Sequence, residues 1–302
     1  MGLVKEAVYV GQNTLFEMNT SVISGFNPAV ILDNKINLND TFDDTICIKI
    51  ASNRCLNNYN NDNALEPIKP VKCLVRSSNR CMAQIAKLVG RSKQKSFLQE
   101  VGLLDEYFLE IFETGSPILP DKWSDNSMIT ISFGQGLGVI PLSFASGIAS
   151  IVNGGYKIKP TLYPVSEPDQ RGKSIIREEV SEKIRYAMRQ VVKNGSGKKA
   201  DIPGYAVIGK TGTADQPKDG SYSEAKINTF ASIFPTSNPQ FVFIVMLDTP
   251  QKAKDYYYKY RHQKGGWKGT LYNTAGWTSV EVAGKIIDKI GPILATKYLE
   301  IK

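Results

Sequence analysis

The chain is poor in histidine: His262 is the only one among 302 residues. It stands in the polar run Lys-Asp-Tyr-Tyr-Tyr-Lys-Tyr-Arg-His-Gln-Lys, away from any serine-bearing turn, so a Ser-His-Asp triad is not expected. Long apolar runs are missing too. The nearest, 138–152, is broken by Pro141, Ser143, Ser146 and Ser150, whereas a membrane-crossing helix uses roughly 18 or more continuous apolar residues. Residues 1–13 lack the basic patch, apolar stretch and small-residue cleavage site of a secretory signal. Cysteine is scarce, and Cys47, Cys55, Cys73 and Cys81 are spaced too widely for the short thiolate pairs that close on zinc. Structural or free thiols are expected, and no metal.

What is present reads as an ordinary globular chain, 42% apolar and 22% charged, with enough length to bury a core. The formal charge of +8 concentrates in 183–199 and 252–264. The second stretch interleaves aromatics with cations as single-strand binders do, but it reads as a solvated loop, and nucleic acid is not expected as a partner.

Hydrophobic spacing predicts a helix after Ser77 and Ser78, with Met82, Ile85, Ala86 and Leu88 on the buried face and Gly90 as the stop. Further helices are predicted at Lys93–Val101, at Pro141–Val152 with proline early and Asn153-Gly154-Gly155 at its end, at Glu178–Val192 and at Val280–Leu294. Asn57–Asn63 and Pro164–Lys173 read as loops. Short apolar runs at Tyr205–Ile208, Ile227–Phe234 and Phe241–Leu247 read as strands. The brief connection Thr236-Ser237-Asn238-Pro239 favours antiparallel neighbours over a parallel crossover. The expected fold class is α+β, an antiparallel sheet flanked by helices with a helical subdomain.

With no triad available, a serine nucleophile would need a different base, and a lysine of lowered pKa is the usual substitute. That directs attention to Gly209-Lys210-Thr211-Gly212-Thr213-Ala214. The stretch Gly204 to Thr211 also matches the phosphate-loop pattern G-x-x-x-x-G-K-T. That mechanism needs a loop feeding a helix N-terminus. Here the middle residues are strand-like, and Pro217 with two glycines follows Lys210, so the phosphate-loop reading is set aside. A Lys-Thr-Gly strand travelling with a Ser-x-Asn motif is the other reading, and Ser77-Ser78-Asn79 supplies the second motif in the right order.

Together with Ile131-Ser-Phe-Gly-Gln-Gly-Leu-Gly138, Pro141-Leu142, Ala149–Gly155 and Gly276-Trp277, these motifs resemble the class B penicillin-binding proteins, within them the septal transpeptidases. The likeness covers about residues 15–294 and implies one transpeptidase domain over 1–302, with the penicillin-binding protein/β-lactamase-like fold. It implies a serine acyltransferase that attacks the D-Ala-D-Ala end of a peptidoglycan stem peptide. β-Lactams would bind as mimics, division-complex proteins would be partners, no cofactor would be used, and the chain would work on the periplasmic side of a bacterial inner membrane. By the same likeness Ser77 relays a proton and Asn79 bonds the substrate amide. Lys210 adds positive potential, Thr211 and Thr213 take the substrate carboxylate, and Gly212 lets the backbone approach closely.

One motif departs from the family. A nucleophile and a lysine should stand one helical turn apart before the Ser-x-Asn motif, yet the chain reads Phe16-Glu-Met-Asn-Thr-Ser-Val-Ile-Ser24. Counted from Met18, Thr20 falls on the nucleophile and Ile23 on the lysine; shifted by one, Ser21 and Ser24 do. Ser21 is taken as the candidate nucleophile, with Thr20 as its rival. The expected alternative is a catalytically inactive binding module of the same fold. The family's N-terminal anchor and non-catalytic domain are not recognised in the sequence, which leaves open a C-terminal fragment of a longer or split gene, a decaying copy, or a retained pseudoenzyme that binds division partners or peptidoglycan.

Overall fold

In a computed structural model the described residues are 37–50, 54–59, 62–106, 110, 115–163, 172–218, 221–251, 254–258, 267–269 and 273–298. Numbered among these, the helices are α1 (Pro70–Arg76), α2 (Asn79–Val89), α3 (Arg91–Glu100), α4 (Asp125–Ser132), α5 (Pro141–Val152), α6 (Glu178–Asn194) and α7 (Ser279–Tyr298). The principal strands are β1 (Ile208–Lys218), β2 (Ser221–Phe234) and β3 (Phe241–Asp248), joined as an antiparallel sheet in that order.

Alternation along the strands puts side chains on two faces, and each face is covered. On β2, Phe230 packs with Val245 of β3 and with Val280 and Ala283 of α7, while Phe234 meets Ile287 of the same helix. Ala231 and Ile233 point the other way, into the large cluster built from α2, α4, α5 and α6 around wholly buried residues such as Ile85, Phe144, Ile148 and Ile184. Fully burying each such side chain contributes about 1.5–3 kcal/mol. The result is helix, sheet and helix cluster in layers, the expected α+β arrangement.

Most predicted elements appear within a few residues of their expected bounds, with two corrections. Leu88 is exposed, because it lies roughly 240° round the helix from Met82 at 100° per residue; Val89, one full heptad on from Met82, packs against the core instead. Tyr205–Ile208 is not a strand: Gly204 and Ala206 have positive φ, and the chain turns there before β1 begins at Ile208. β1 then runs past Lys210 through Pro217, with a register shift between Asp215 and Pro217. Among the described residues β1 has a partner on one side only, and proline, which cannot donate to a ladder, is tolerated on such edges and at irregularities of register. A strand where the phosphate-loop mechanism needs a helix removes that reading.

All four cysteines are paired, Cys47 with Cys55 and Cys73 with Cys81. Each bridge closes a loop of eight-residue separation, worth roughly 2.5 kcal/mol in the chain-entropy account. Structural disulfides persist in oxidising compartments.

Candidate active site

The Ser-x-Asn corner is made by the end of one helix and the start of the next. α1 closes in a Schellman arrangement: the Ser78 N–H donates to the Cys73 carbonyl at 3.0 Å and the Ser77 N–H to the Leu74 carbonyl at 3.1 Å. The residue in the left-handed slot of that motif is usually glycine, but here it is Ser77, with φ 53° and ψ 41°. A side chain there costs roughly 1–2 kcal/mol. Ser78 then caps α2, its hydroxyl accepting from the Cys81 N–H at 3.0 Å, and Asn79 is the first helical residue.

Lys210 approaches from the sheet. In the β1–β2 register it stands opposite Ala231, whose face looks into the helix cluster, so its side chain is directed beneath α1. Lys210 is fully buried; its Nζ donates to Ser77 Oγ at 2.8 Å and to the Thr211 carbonyl at 2.9 Å. Both acceptors are neutral oxygens. Burial penalises the charged amine and pulls its pKa down to about 7, so near neutral pH a large fraction is free to accept a proton. Gly209 beside it has no room for a side chain, since an added Cβ would come within 2.6 Å of the Ala231 carbonyl and the Phe230 ring.

Thr211 and Thr213 lie on the opposite face of β1 from Lys210. The Thr211 hydroxyl shares a 2.6 Å hydrogen bond with Ser196, and Thr213 Oγ1 accepts from the Ala275 N–H at 3.0 Å. Ala275 opens the short turn containing Gly276 and Trp277. Gly276 packs so closely that an added Cβ would sit 3.0 Å from the Ser196 carbonyl. Lys199 lies over the Trp277 ring at 4.6 Å and donates to Glu281 of α7 at 2.9 Å, tying the turn to the last helix.

The structure thus brings Ser77 and Lys210 into contact and aligns Lys210, Thr211, Gly212 and Thr213 along one strand. Asn79 heads α2 beside them, its amide donating to the Asn57 carbonyl at 3.1 Å. Ser21 and Thr20 lie outside the described residues, as does His262.

Sequence reasoning missed the support behind Ser77. Asp44 is fully buried and takes hydrogen bonds from Ser78 Oγ, Asn58 Nδ2 at 3.0 Å and the Ala64 N–H at 2.8 Å. Arg80 is also buried and donates to the carbonyls of Leu56, Thr45 and Asp44 and to the Asn57 side chain. Asn57 and Asn58, at the start of the segment predicted as an Asn-rich loop, are therefore fastened to the Ser-x-Asn corner. The equal cysteine spacing was the one available signal; Asp44 offered none.

Residues 21–264 match the penicillin-binding protein transpeptidase domain. The chain belongs to the penicillin-binding protein transpeptidase family. It is 29% identical over 297 residues to the probable peptidoglycan D,D-transpeptidase FtsI of Caulobacter vibrioides, covering 94% of this chain and 47% of that protein. Against the peptidoglycan D,D-transpeptidase FtsI of Escherichia coli K12 the identity is 33% over 188 residues, 61% of this chain and 32% of that protein. The chain thus spans half or less of these relatives. In fold, this transpeptidase-family chain superposes on the transpeptidase domain of penicillin-binding protein 3 from Burkholderia pseudomallei with a TM-score of 0.76 at 18% identity, over 91% of this chain and 79% of that one. The Mycobacterium tuberculosis penicillin-binding protein 3 complexed with aztreonam gives a TM-score of 0.72 at 21% identity, over 91% and 63%.

Proposed function

We propose that the chain is the transpeptidase unit of a septal peptidoglycan D,D-transpeptidase, working on the periplasmic side of the inner membrane. The observation that carries this reading is the 2.8 Å contact between a wholly buried Lys210 and Ser77, beside a strand whose outer edge has no sheet partner among the described residues. An extended peptide with a D-Ala-D-Ala end would lie along that edge, its carboxylate at the hydroxyls of Thr211 and Thr213 and its amide at Asn79, with Gly212 allowing close approach.

In this reading Ser21 Oγ attacks the penultimate D-Ala carbonyl and its proton passes by way of Ser77 to Lys210. The N–H groups of Thr213 and Ser21 hold the oxyanion, a donor pair of the kind worth roughly 2.7–4 kcal/mol per donor. The terminal D-Ala departs as an amine carrying a proton from the same relay. The amine of a second stem peptide then displaces Ser21 to form the cross-link. Lys210 takes the base role because the position one turn beyond the nucleophile is Ile23 or Ser24, not lysine.

The test is intact-protein mass spectrometry after incubation with benzylpenicillin. A covalent adduct is expected in the wild type, abolished by Ser21→Ala if Ser21 is the nucleophile or by Thr20→Ala if that register holds, and slowed roughly 10²–10⁴-fold by Lys210→Ala. The missing lysine favours a second reading, a binding module of the same fold. No adduct in folded wild type, with reversible stem-peptide binding retained, would establish it in place of the first.

A further inference from the structure

Two bridges and a buried carboxylate converge on one corner of the molecule, and one bridge spans the residues that present Ser77. Cys73 supplies the carbonyl that accepts from the Ser78 N–H; Cys81 supplies the N–H that donates to the Ser78 hydroxyl. The side chains of the same two residues form the disulfide, their Cα atoms 5.8 Å apart. The backbone held between them contains Ser77, a left-handed residue without the glycine that such a conformation favours. Both cysteines are fully buried.

We infer that the Cys73–Cys81 disulfide is a positioning element of the cleft, holding Ser77 in the left-handed conformation from which its hydroxyl meets Lys210. The inference rests on the transpeptidase reading for its functional meaning and deepens it by naming what sets the cleft's geometry. Without the bridge, no cross-link spans the turn between α1 and α2, and core packing of Leu74 and Met82 with the cap hydrogen bonds must hold the left-handed serine against relaxation toward ordinary backbone. Where that hold yields, Ser77 leaves Lys210, water reaches the amine, and the base loses the burial that keeps it titrating near neutrality. Because both sulfurs are buried, dithiothreitol reaches this bridge only when the corner opens locally; it then transfers two electrons and two protons to the Cys73 and Cys81 sulfurs and departs as its own cyclic disulfide.

The experiment compares Cys73→Ala/Cys81→Ala with Cys47→Ala/Cys55→Ala. Both pairs close loops of the same separation, so the chain-entropy loss is matched and stability alone does not distinguish them. The readouts are the NMR titration of the Lys210 side chain in lysine-labelled protein and the capture of benzylpenicillin. Loss of the 73–81 bridge is expected to move the Lys210 titration up toward the ordinary lysine range and to weaken capture roughly tenfold to a hundredfold, with the 47–55 variant close to wild type. If the first variant does not fold, the same titration on Cys47→Ala/Cys55→Ala decides, before and after dithiothreitol has reduced its one remaining bridge, with reduction read as two free thiols by mass after alkylation. An unchanged Lys210 titration, or equal shifts in both variants, overturns the inference. If oxidised wild type captures no β-lactam, the transpeptidase reading falls, while the Lys210 titration still reports on the bridge.

Discussion

The two elements that meet at the Ser77–Lys210 contact, a sheet wall and a corner wall, are held by different physics. Lys210 stands on a strand fixed by ladder hydrogen bonds and by apolar packing on both faces of the sheet. Ser77, 2.8 Å away, stands on a helix corner with little sheet behind it, fixed by a disulfide, a buried Asp44 and a buried Arg80. Apolar packing tolerates small adjustments, because many weak contacts share the load. A corner built from cross-links and buried polar groups does not, since each member left alone in the interior carries a full desolvation penalty. The sheet wall is therefore placed to hold a residue that dislikes its surroundings, and the corner wall to hold a backbone that dislikes its shape.

The largest expected effect tests the sheet wall. Lys210 has a folded-state pKa depressed to about 7 from an ordinary value of 10.5, so between those values the unfolded chain binds a proton that the folded chain does not. Stability contributed at this site rises with pH across that window, and below pH 7 the penalty of the buried ammonium is present in full. Lys210→Met is expected to be more stable than wild type at pH 6, by on the order of a few kcal/mol, with the advantage shrinking as pH rises toward 10. Urea denaturation of the pair at several pH values measures it. A constant difference would mean that the lysine is solvated and the contrast between the walls is false.

Next comes the hub of the corner wall. Asp44→Ala strands the Ala64 N–H and leaves Ser78 Oγ and the Asn58 amide with their remaining bonds to Asn58 Oδ1 and Asn63 Oδ1, and is expected to destabilise by about 1–3 kcal/mol. Hydrogen exchange should rise at 44–64 and 76–82 while β2 stays protected; uniform loss of protection would show the two walls to be one cooperative unit. The smallest effect sets two contributions against each other. Ser77→Gly relieves a left-handed side chain, worth about 1 kcal/mol, but takes an acceptor from the buried Lys210, so the melting temperature is expected to stay near wild type while β-lactam capture is lost.

The sheet wall was legible in the sequence because its signals are local. Short apolar runs pointed to β2 and β3, and the string Gly209 to Ala214 pointed to the strand that carries Lys210. The corner wall was legible only at its tip. Ser77, Ser78 and Asn79 stand together in sequence, but Asp44 reaches Ser78 across 34 positions and Arg80 reaches Thr45 across 35, and no periodicity encodes such contacts. The cysteines gave spacing without partners, since pairing depends on where a helix corner folds back. The misread start of β1 has the same origin: Tyr205 and Val207 are apolar enough for a strand, but both sit in core packing around Phe234 that does not require one.

Ser77 also makes the chain a record of selection. A serine in the left-handed slot of a helix end is worse for folding than glycine, and for serine codons beginning AG a single nucleotide change reaches glycine. Mutation and backbone strain therefore push this position the same way, and the hydroxyl's bond to the buried Lys210 opposes them. In lineages where an apolar residue has replaced Lys210, Ser77 should drift to glycine, turning a strained corner into a relaxed one.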